Sequence, residues 1–89
     1  MAKISKKKLQ EVLKRRLKLK APVFELEVQP GGKVSGSVIS NSFERMKDSD
    51  RQRKIWHALD AEFGSDSVHY VGILLAYTDA EWNVELQEQ

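Results

Sequence analysis

A tight turn at residues 29–32, Gln-Pro-Gly-Gly, constrains the fold more than any other feature of the sequence. Proline restricts its own φ and glycine readily adopts positive φ, so this quartet favours a sharp chain reversal. Before the turn, Phe24, Leu26 and Val28 alternate with two glutamates, which is typical of a half-buried strand. Residues 34–39 have the composition of a second strand. The sequence therefore predicts a β-hairpin.

The segment before the hairpin, residues 4–18, predicts an amphipathic helix in a unit that Pro22 ends. Strong helix formers separate apolar side chains that recur at helical spacing, namely Leu9, Val12, Leu13 and Leu17. The opposite side is basic, with Glu11 as its one acid. Lysines in a first turn oppose the helix dipole, so the requirements of folding do not explain them.

A second helix is predicted after the polar stretch at residues 40–50. Asp48, Ser49 or Asp50 is the expected N-cap, and Gly64 is the expected stop because a helix end often needs positive φ. The apolar face of this helix consists of Ile55, Trp56, Leu59 and Phe63.

Residues 68–77 are strongly apolar and predict a third strand. Thr78 and Glu81 have the spacing of a capping box, so a short last helix with Trp82 and Leu86 is expected to follow. The predicted order is α-β-β-α-β-α in one α+β domain, residues 1–89, with flexible ends at 1–4 and 87–89.

One face of the sheet is expected to be wet, because Glu25, Glu27, Ser35 and Ser37 share it. The helices are then expected on the opposite face. The third strand has no polar side: residues 69, 71, 73, 75 and 77 lie on one face and residues 68, 70, 72, 74 and 76 on the other. We expect the last helix to cover the remaining face of this strand, with a partner protein as the alternative.

The composition excludes several classes of protein. Cysteine is absent, which rules out disulfides, zinc fingers and a thiol nucleophile. The longest apolar run is far too short to span a membrane, and no signal-peptide pattern precedes it. These features predict a cytoplasmic protein.

No catalytic constellation is evident. The two histidines, His57 and His69, stand apart in sequence, and no serine lies in a nucleophile elbow or a phosphate loop. Glu25 and Glu27 form a carboxylate pair without an acid–base partner, which is typical of a solvated sheet face. We therefore expect a protein that is not an enzyme.

Charge is segregated along the chain. Residues 1–54 hold all 15 Lys and Arg with 6 acids, whereas residues 55–89 hold 7 acids and no Lys or Arg. A solvated helix face is the ordinary explanation of such runs, but the segregation favours contact with nucleic-acid phosphates. The candidate contacts are Lys6, Lys7, Lys8, Lys14, Arg15, Arg51, Arg53 and Lys54. Aromatic residues are missing from these regions, so binding directed mainly at the backbone is expected.

The stretch from Ser40-Asn41-Ser42-Phe43 through Arg51-Gln52-Arg53-Lys54-Ile55-Trp56 to Leu59 resembles the BolA family. The later Tyr77-Thr78 and Glu81-Trp82 resemble that family's Thr-x-x-Glu-Trp ending. The resemblance covers roughly residues 9–86. It implies a three-stranded mixed sheet with helices mainly on one face, related to the type II KH arrangement.

The resemblance implies two kinds of function. Some members are DNA-binding regulators of transcription, associated with stress responses, that use a region near the arginine-bearing helix. Others pair with monothiol glutaredoxins and share a [2Fe–2S] cluster, which they hold through a histidine near the third strand and a His or Cys around the hairpin.

Departures from the family pattern bear on both functions. Gln52 replaces the family's histidine between two arginines, Arg45 replaces a glycine, and Lys33 stands where a hairpin histidine often lies. His69, the candidate metal ligand, matches the strand histidine only with one residue inserted before it and another after it. A cluster needs several ligands and the chain offers at most one in a plausible place, so a shared cluster is disfavoured and no cofactor is expected.

Two alternatives to nucleic-acid binding stay open. One is an adaptor that binds a monothiol glutaredoxin or another iron-handling protein, in which case a shared cluster is not required. The other is self-association of the acidic half with the basic helix, which would give a weak homodimer instead of a monomer.

Overall fold

Three strands and four helices make up residues 4–87, the part of the chain that this computed structural model describes. In order they are α1 (Lys6–Leu17), β1 (Val23–Val28), β2 (Val34–Ile39), α2 (Asp48–Phe63), the single turn α3 (Ser67–Tyr70), β3 (Val71–Tyr77) and α4 (Asp79–Gln87). Short 3-10 turns, Asn41–Phe43 and Gly64–Asp66, precede α2 and α3.

The sheet has the strand order β1-β2-β3, with β1 antiparallel and β3 parallel to β2. The predicted hairpin is confirmed: the turn closes through the N–H of Gln29, which donates to the carbonyl oxygen of Lys33 at 2.8 Å. Gly31 and Gly32 both have positive φ, 98° and 93°. The α+β class with a mixed three-stranded sheet is likewise as predicted.

Helices α1 and α2 pack on one face of the sheet and form the core with it. Leu9, Leu13, Ile55 and Leu59 are fully buried there, as the helical spacing predicts. Ile4, which was expected in a flexible end, is also buried in this core. The expectations for residues 1–3 and 88–89 lie outside the described residues.

The predicted start of the third strand is wrong. Residues 68–70 belong to α3, and β3 begins at Val71. A β-bulge follows, because Val34 pairs with Val71 while Gly36 pairs with Leu74, so β3 holds one extra residue. The Ser35 hydroxyl fills this bulge by accepting a hydrogen bond from the N–H of Ile73 at 3.0 Å.

The bulge also changes which residues share a face. Val71 is buried with Leu74 in the core, whereas strict alternation placed it with Ile73 and Leu75. Ile73 is 70% exposed and Leu75 is 45% exposed, so the prediction that α4 covers this face is wrong. Helix α4 contacts the strand through Trp82, whose ring centroid lies 5.2 Å from that of Tyr77.

Helix ends agree only partly with the sequence. The Thr78–Glu81 capping box is confirmed, since each residue's N–H donates to the other's side chain. The N-cap of α2 is Lys47 instead of the expected Asp48, Ser49 or Asp50, and it forms no side-chain cap. Asp48 and Asp50 lie in the first turn, where their charges complement the helix dipole.

None of the helices within residues 4–87 is both long and apolar enough to cross a membrane.

Candidate nucleic-acid interface

An open groove of about 840 Å³ lies between the C-terminal end of α1 and the exposed side of α2. We call it the basic groove, after six side chains that line it: Arg16, Lys18, Arg45, Arg53, Lys54 and His57. Three come from the end of α1 or the loop before α2, and three come from α2 itself. The fold thus gathers cations from three separate segments at one concave surface.

The local structure of α2 explains its contribution. Asp50, Arg53, Lys54 and His57 are three or four residues apart and therefore lie on one side of the helix, away from the buried Ile55. Asp50 is the one acid among the lining residues, and its carboxylate lies 3.4 Å from Nη1 of Arg53. Both side chains are exposed, so this pair leaves most of the charge of Arg53 available.

The α1 side of the groove is partly neutralised. Glu62 accepts hydrogen bonds from Nη2 of Arg15 at 2.7 Å and from Nε of Arg16 at 2.9 Å. The hydrogen bond from Arg16 is the main reason that the pKa of Glu62 lies below its usual value, against some desolvation. Lys18, by contrast, forms no ion pair within residues 4–87.

Two groove cations occupy backbone positions that suit glycine better. Lys18 has φ 51° at the C-terminal cap of α1, and Arg45 has φ 63°. A side chain in this left-handed region costs on the order of 1 kcal/mol relative to glycine, which has no Cβ to clash. Both positions therefore carry charge at the expense of local stability.

Arg51 does not contribute to this surface. Its side chain is 6% exposed, and its guanidinium donates to both carboxylate oxygens of Glu81, at 2.6 and 3.2 Å. It also donates to the carbonyl oxygens of Met46 and Ala76, and it lies over the ring of Phe43. The expectation that Arg51 contacts phosphate is therefore corrected, since its role is to join α2, β3 and α4.

The other predicted contacts lie elsewhere on α1. Lys6, Lys7 and Lys8 form its first turn, about 15 Å along the helix from Lys18. Lys14 and Arg15 are exposed near its end but do not line the groove. Of the eight candidates, the structure brings together two in the basic groove, Arg53 and Lys54.

Sequence reasoning missed four groove residues: Arg16, Lys18, Arg45 and His57. The spacing of His57 from Arg53 and Lys54 on one helix face was a usable signal. The other three lie in different segments, so their convergence depends on how α1 packs against α2.

Gln52 and Arg51 fix the start of α2 along β3, which is an edge strand. Nε2 of Gln52 donates to the carbonyl oxygen of Leu74 at 2.6 Å, and Nη1 of Arg51 donates to that of Ala76 at 3.1 Å. These bonds satisfy part of a strand edge that would otherwise be open to pairing. Gln52 therefore has a structural role here.

His69, the candidate metal ligand, is exposed in α3 instead of lying in a strand. No group of three His, Cys, Asp or Glu side chains with metal-binding geometry occurs within residues 4–87. The hairpin turn supplies Lys33 and no thiol or imidazole. The residues present therefore do not fit the shared [2Fe–2S] cluster that the resemblance implies.

The sheet face opposite the helices is open. We call it the outer face, defined by Glu25, Glu27, Ser37, Ile73 and Leu75. It combines two carboxylates on β1 with two exposed aliphatic side chains on β3, so its chemistry differs from that of the basic groove.

Comparison with solved structures shows the same fold in BolA proteins. A BolA homologue from Coxiella burnetii superposes with a TM-score of 0.67 at 21% identity, covering 90% of this chain and 97% of its own. A BolA-like protein from Babesia bovis gives 0.63 at 22% identity, covering 96% of each chain. The BolA domain of SufE1 from Arabidopsis thaliana gives 0.57 at 20% identity, covering 84% and 92%.

These likenesses confirm the fold that the resemblance implied. No protein-family model matches the chain, and no curated protein sequence matches it.

Proposed function

We propose that this chain is a non-enzymatic regulatory module that contacts the phosphate backbone of nucleic acid through the basic groove. The observation that supports this most is the convergence of cations from α1, α2 and the loop before α2 on one concave surface. Lysine and arginine facing phosphates release condensed counterions, which favours binding at low salt. The segregation of all Lys and Arg within residues 1–54 supports the same proposal.

The glycine-like positions of Lys18 and Arg45 add a second line of support. Surface residues chosen for stability alone would favour glycine or asparagine at these φ values. Long cations at both positions are expected if their charge serves a ligand.

The test is the salt dependence of binding, measured by fluorescence anisotropy with a labelled oligonucleotide between 50 and 300 mM salt. The affinity should fall steeply, by about 0.7–0.9 logarithmic units per decade of salt for each phosphate contact. Lys54→Glu should weaken binding and reduce this slope. Lys33→Glu is the matched control, because it makes the same charge change in the hairpin turn, outside the groove.

Equal effects of the two variants would contradict a localised site. An affinity that does not respond to salt, or no binding at low salt, would contradict the proposal itself.

A protein-adaptor function is the second candidate, and the exposed Ile73 and Leu75 on the outer face favour it. The BolA domain of SufE1 shows that this fold occurs as part of another protein. The adaptor would bind a monothiol glutaredoxin or another iron-handling protein without contributing cluster ligands. Mixing with a cluster-loaded monothiol glutaredoxin tests this: complex formation with identical visible spectra for wild type and His69→Ala is expected.

A further inference from the structure

The basic groove has an apolar floor, which phosphate binding does not require. Leu17, Met46, Ala58 and Ala61 line it between the cationic side chains. Met46 is half-buried and packs against the core cluster, so its thioether is held at the groove surface. A ligand that fits the whole groove therefore combines negative charge with an apolar surface.

We propose that the basic groove binds single-stranded nucleic acid, with unstacked bases against this floor and phosphates at the cationic rim. The inference rests on the proposed function and narrows it to one class of nucleic acid. It follows from the juxtaposition of the apolar floor with cations on both sides of the groove.

A duplex does not satisfy both features. It presents phosphates on a convex surface and shows only base edges within its grooves, since its bases are stacked inside. Placed on the rim, it would contact Lys18 and Lys54 but leave the floor in water. A single strand can turn its bases inward, where they lose water together with the floor.

His57 supplies a surface for stacking. It is exposed, lines the groove and lies one helical turn from Arg53. Unstacked bases pack against imidazole rings and guanidinium planes as well as against larger aromatic side chains. The basic regions were expected to lack aromatic side chains for stacking. The imidazole of His57 and the guanidinium of Arg53 supply flat surfaces for bases instead.

Asp50 is consistent with contact to bases. A carboxylate among cations repels phosphate, whereas it accepts hydrogen bonds from the amino and ring N–H groups of bases. Its side chain is about half exposed at the groove wall. A site for phosphates alone gains nothing from this acid.

The experiment compares four probes, each of 12 nucleotides or 12 base pairs, at one salt concentration and at pH 8. They are dT12, rU12, an abasic strand with the same number of phosphates, and a 12-base-pair duplex. We expect dT12 to bind about tenfold tighter than the abasic strand, which is within the range for base stacking. It should also bind tighter than the duplex. The rU12 arm shows whether RNA or DNA is preferred, and tight binding of either strand supports the inference.

His57→Ala should weaken binding of dT12 more than binding of the abasic strand. His69→Ala, which removes an exposed imidazole from α3, is the matched control and should change neither. Equal binding of dT12 and the abasic strand, or tighter binding of the duplex, would overturn the inference while leaving the proposed function intact. Failure of all four probes to bind would overturn both.

Discussion

Oε1 of Glu81 accepts hydrogen bonds from Nη1 of Arg51 at 2.6 Å and from the N–H of Thr78 at 2.8 Å. One carboxylate oxygen therefore both caps α4 and neutralises the buried arginine of α2. Because Arg51 also donates to the carbonyl oxygen of Ala76 at the end of β3, the pair connects α2, β3 and α4. Helix α4 has no buried residue of its own, so this contact is a main reason that it stays docked.

Substitutions of Arg51 and Arg53 should have different effects, the first on stability and the second on nucleic-acid affinity. Arg51→Ala leaves two carbonyl oxygens without their donor and Glu81 without its partner, which should lower the free energy of unfolding by about 2–4 kcal/mol. Arg53→Ala should change it by less than about 0.5 kcal/mol, because its side chain is 78% exposed. Urea unfolding followed by tryptophan fluorescence measures both.

Nucleic-acid affinity should respond to these two substitutions in the reverse order. Oligonucleotide affinity should fall in Arg53→Ala and persist in Arg51→Ala at temperatures where that variant remains folded. A loss of affinity in folded Arg51→Ala as large as in Arg53→Ala would contradict the structural role of Arg51.

Stability should depend on pH through Glu81. Hydrogen bonds from Arg51 and from the Thr78 N–H lower the pKa of this carboxyl from 4.5 to about 2 in the folded protein. A depressed folded pKa stabilises the protein above the unfolded value, and this stabilisation is lost as the pH falls from about 4.5 to 2. The effect should be about 1–2 kcal/mol, because the side chain is 47% exposed and solvent screens it.

Denaturant titrations between pH 2 and 7 check this. Glu81→Gln should be less stable than wild type at pH 7 and should lose less stability in the acid range. Glu27→Gln, on the outer face, is the matched control. The same loss in Glu81→Gln as in wild type would show that another group governs acid unfolding.

Local patterns in the sequence predicted most of the fold. The hairpin, the capping box of α4 and the buried faces of α1 and α2 each depend on residues within one short segment. The start of β3 could not be predicted in this way, because Val68 and Tyr70 of α3 belong to residue types that are common in strands. The bulge at Ile73 depends on the hydroxyl of Ser35, which lies 38 residues away.

The candidate site was less predictable than the fold, because it depends on contacts between residues that are distant in sequence. Arg51 and Arg53 look equivalent in sequence, yet one is buried against Glu81 and the other faces the groove. Their difference follows from the helix phase relative to β3 and α4. Lys18 and Arg45 both line the groove, and both lie where the chain turns with positive φ, which the sequence did not indicate.

The bulge in β3 should depend on Ser35. Its hydroxyl accepts from the N–H of Ile73 and donates to Oε1 of Gln29 at 2.9 Å. Ser35→Ala leaves that partly buried N–H without its acceptor and should cost about 1–2 kcal/mol. Ser37→Ala, two residues along β2, should cost less, because its hydroxyl forms no hydrogen bond within residues 4–87. Thermal unfolding of the two variants gives the comparison, and equal losses would contradict this role of Ser35.

Lys8 should be replaceable with a gain in stability. Ser5 is the N-cap of α1 and its hydroxyl accepts from the N–H of Lys8 at 3.1 Å, so Lys8→Glu would complete a capping box. The expected gain is about 0.5–1 kcal/mol, because the new carboxylate also complements the helix dipole. Oligonucleotide affinity should fall less than in Lys54→Glu, since Lys8 lies far from the basic groove. A larger fall than in Lys54→Glu would instead support the first turn of α1 as a phosphate contact.

Replacing Arg45 by glycine should raise stability and weaken nucleic-acid binding. Its φ of 63° favours glycine, so Arg45→Gly should raise the free energy of unfolding by about 0.5–1 kcal/mol. The same change removes a cation from the groove and should weaken oligonucleotide binding severalfold, with a smaller salt slope. Arg45→Ala is the matched control, because it loses the charge but keeps the strained backbone. It should weaken binding equally without the gain in stability. If Arg45→Gly binds as tightly as wild type, the charge at this position does not serve the groove, and the strained backbone at Arg45 needs another explanation.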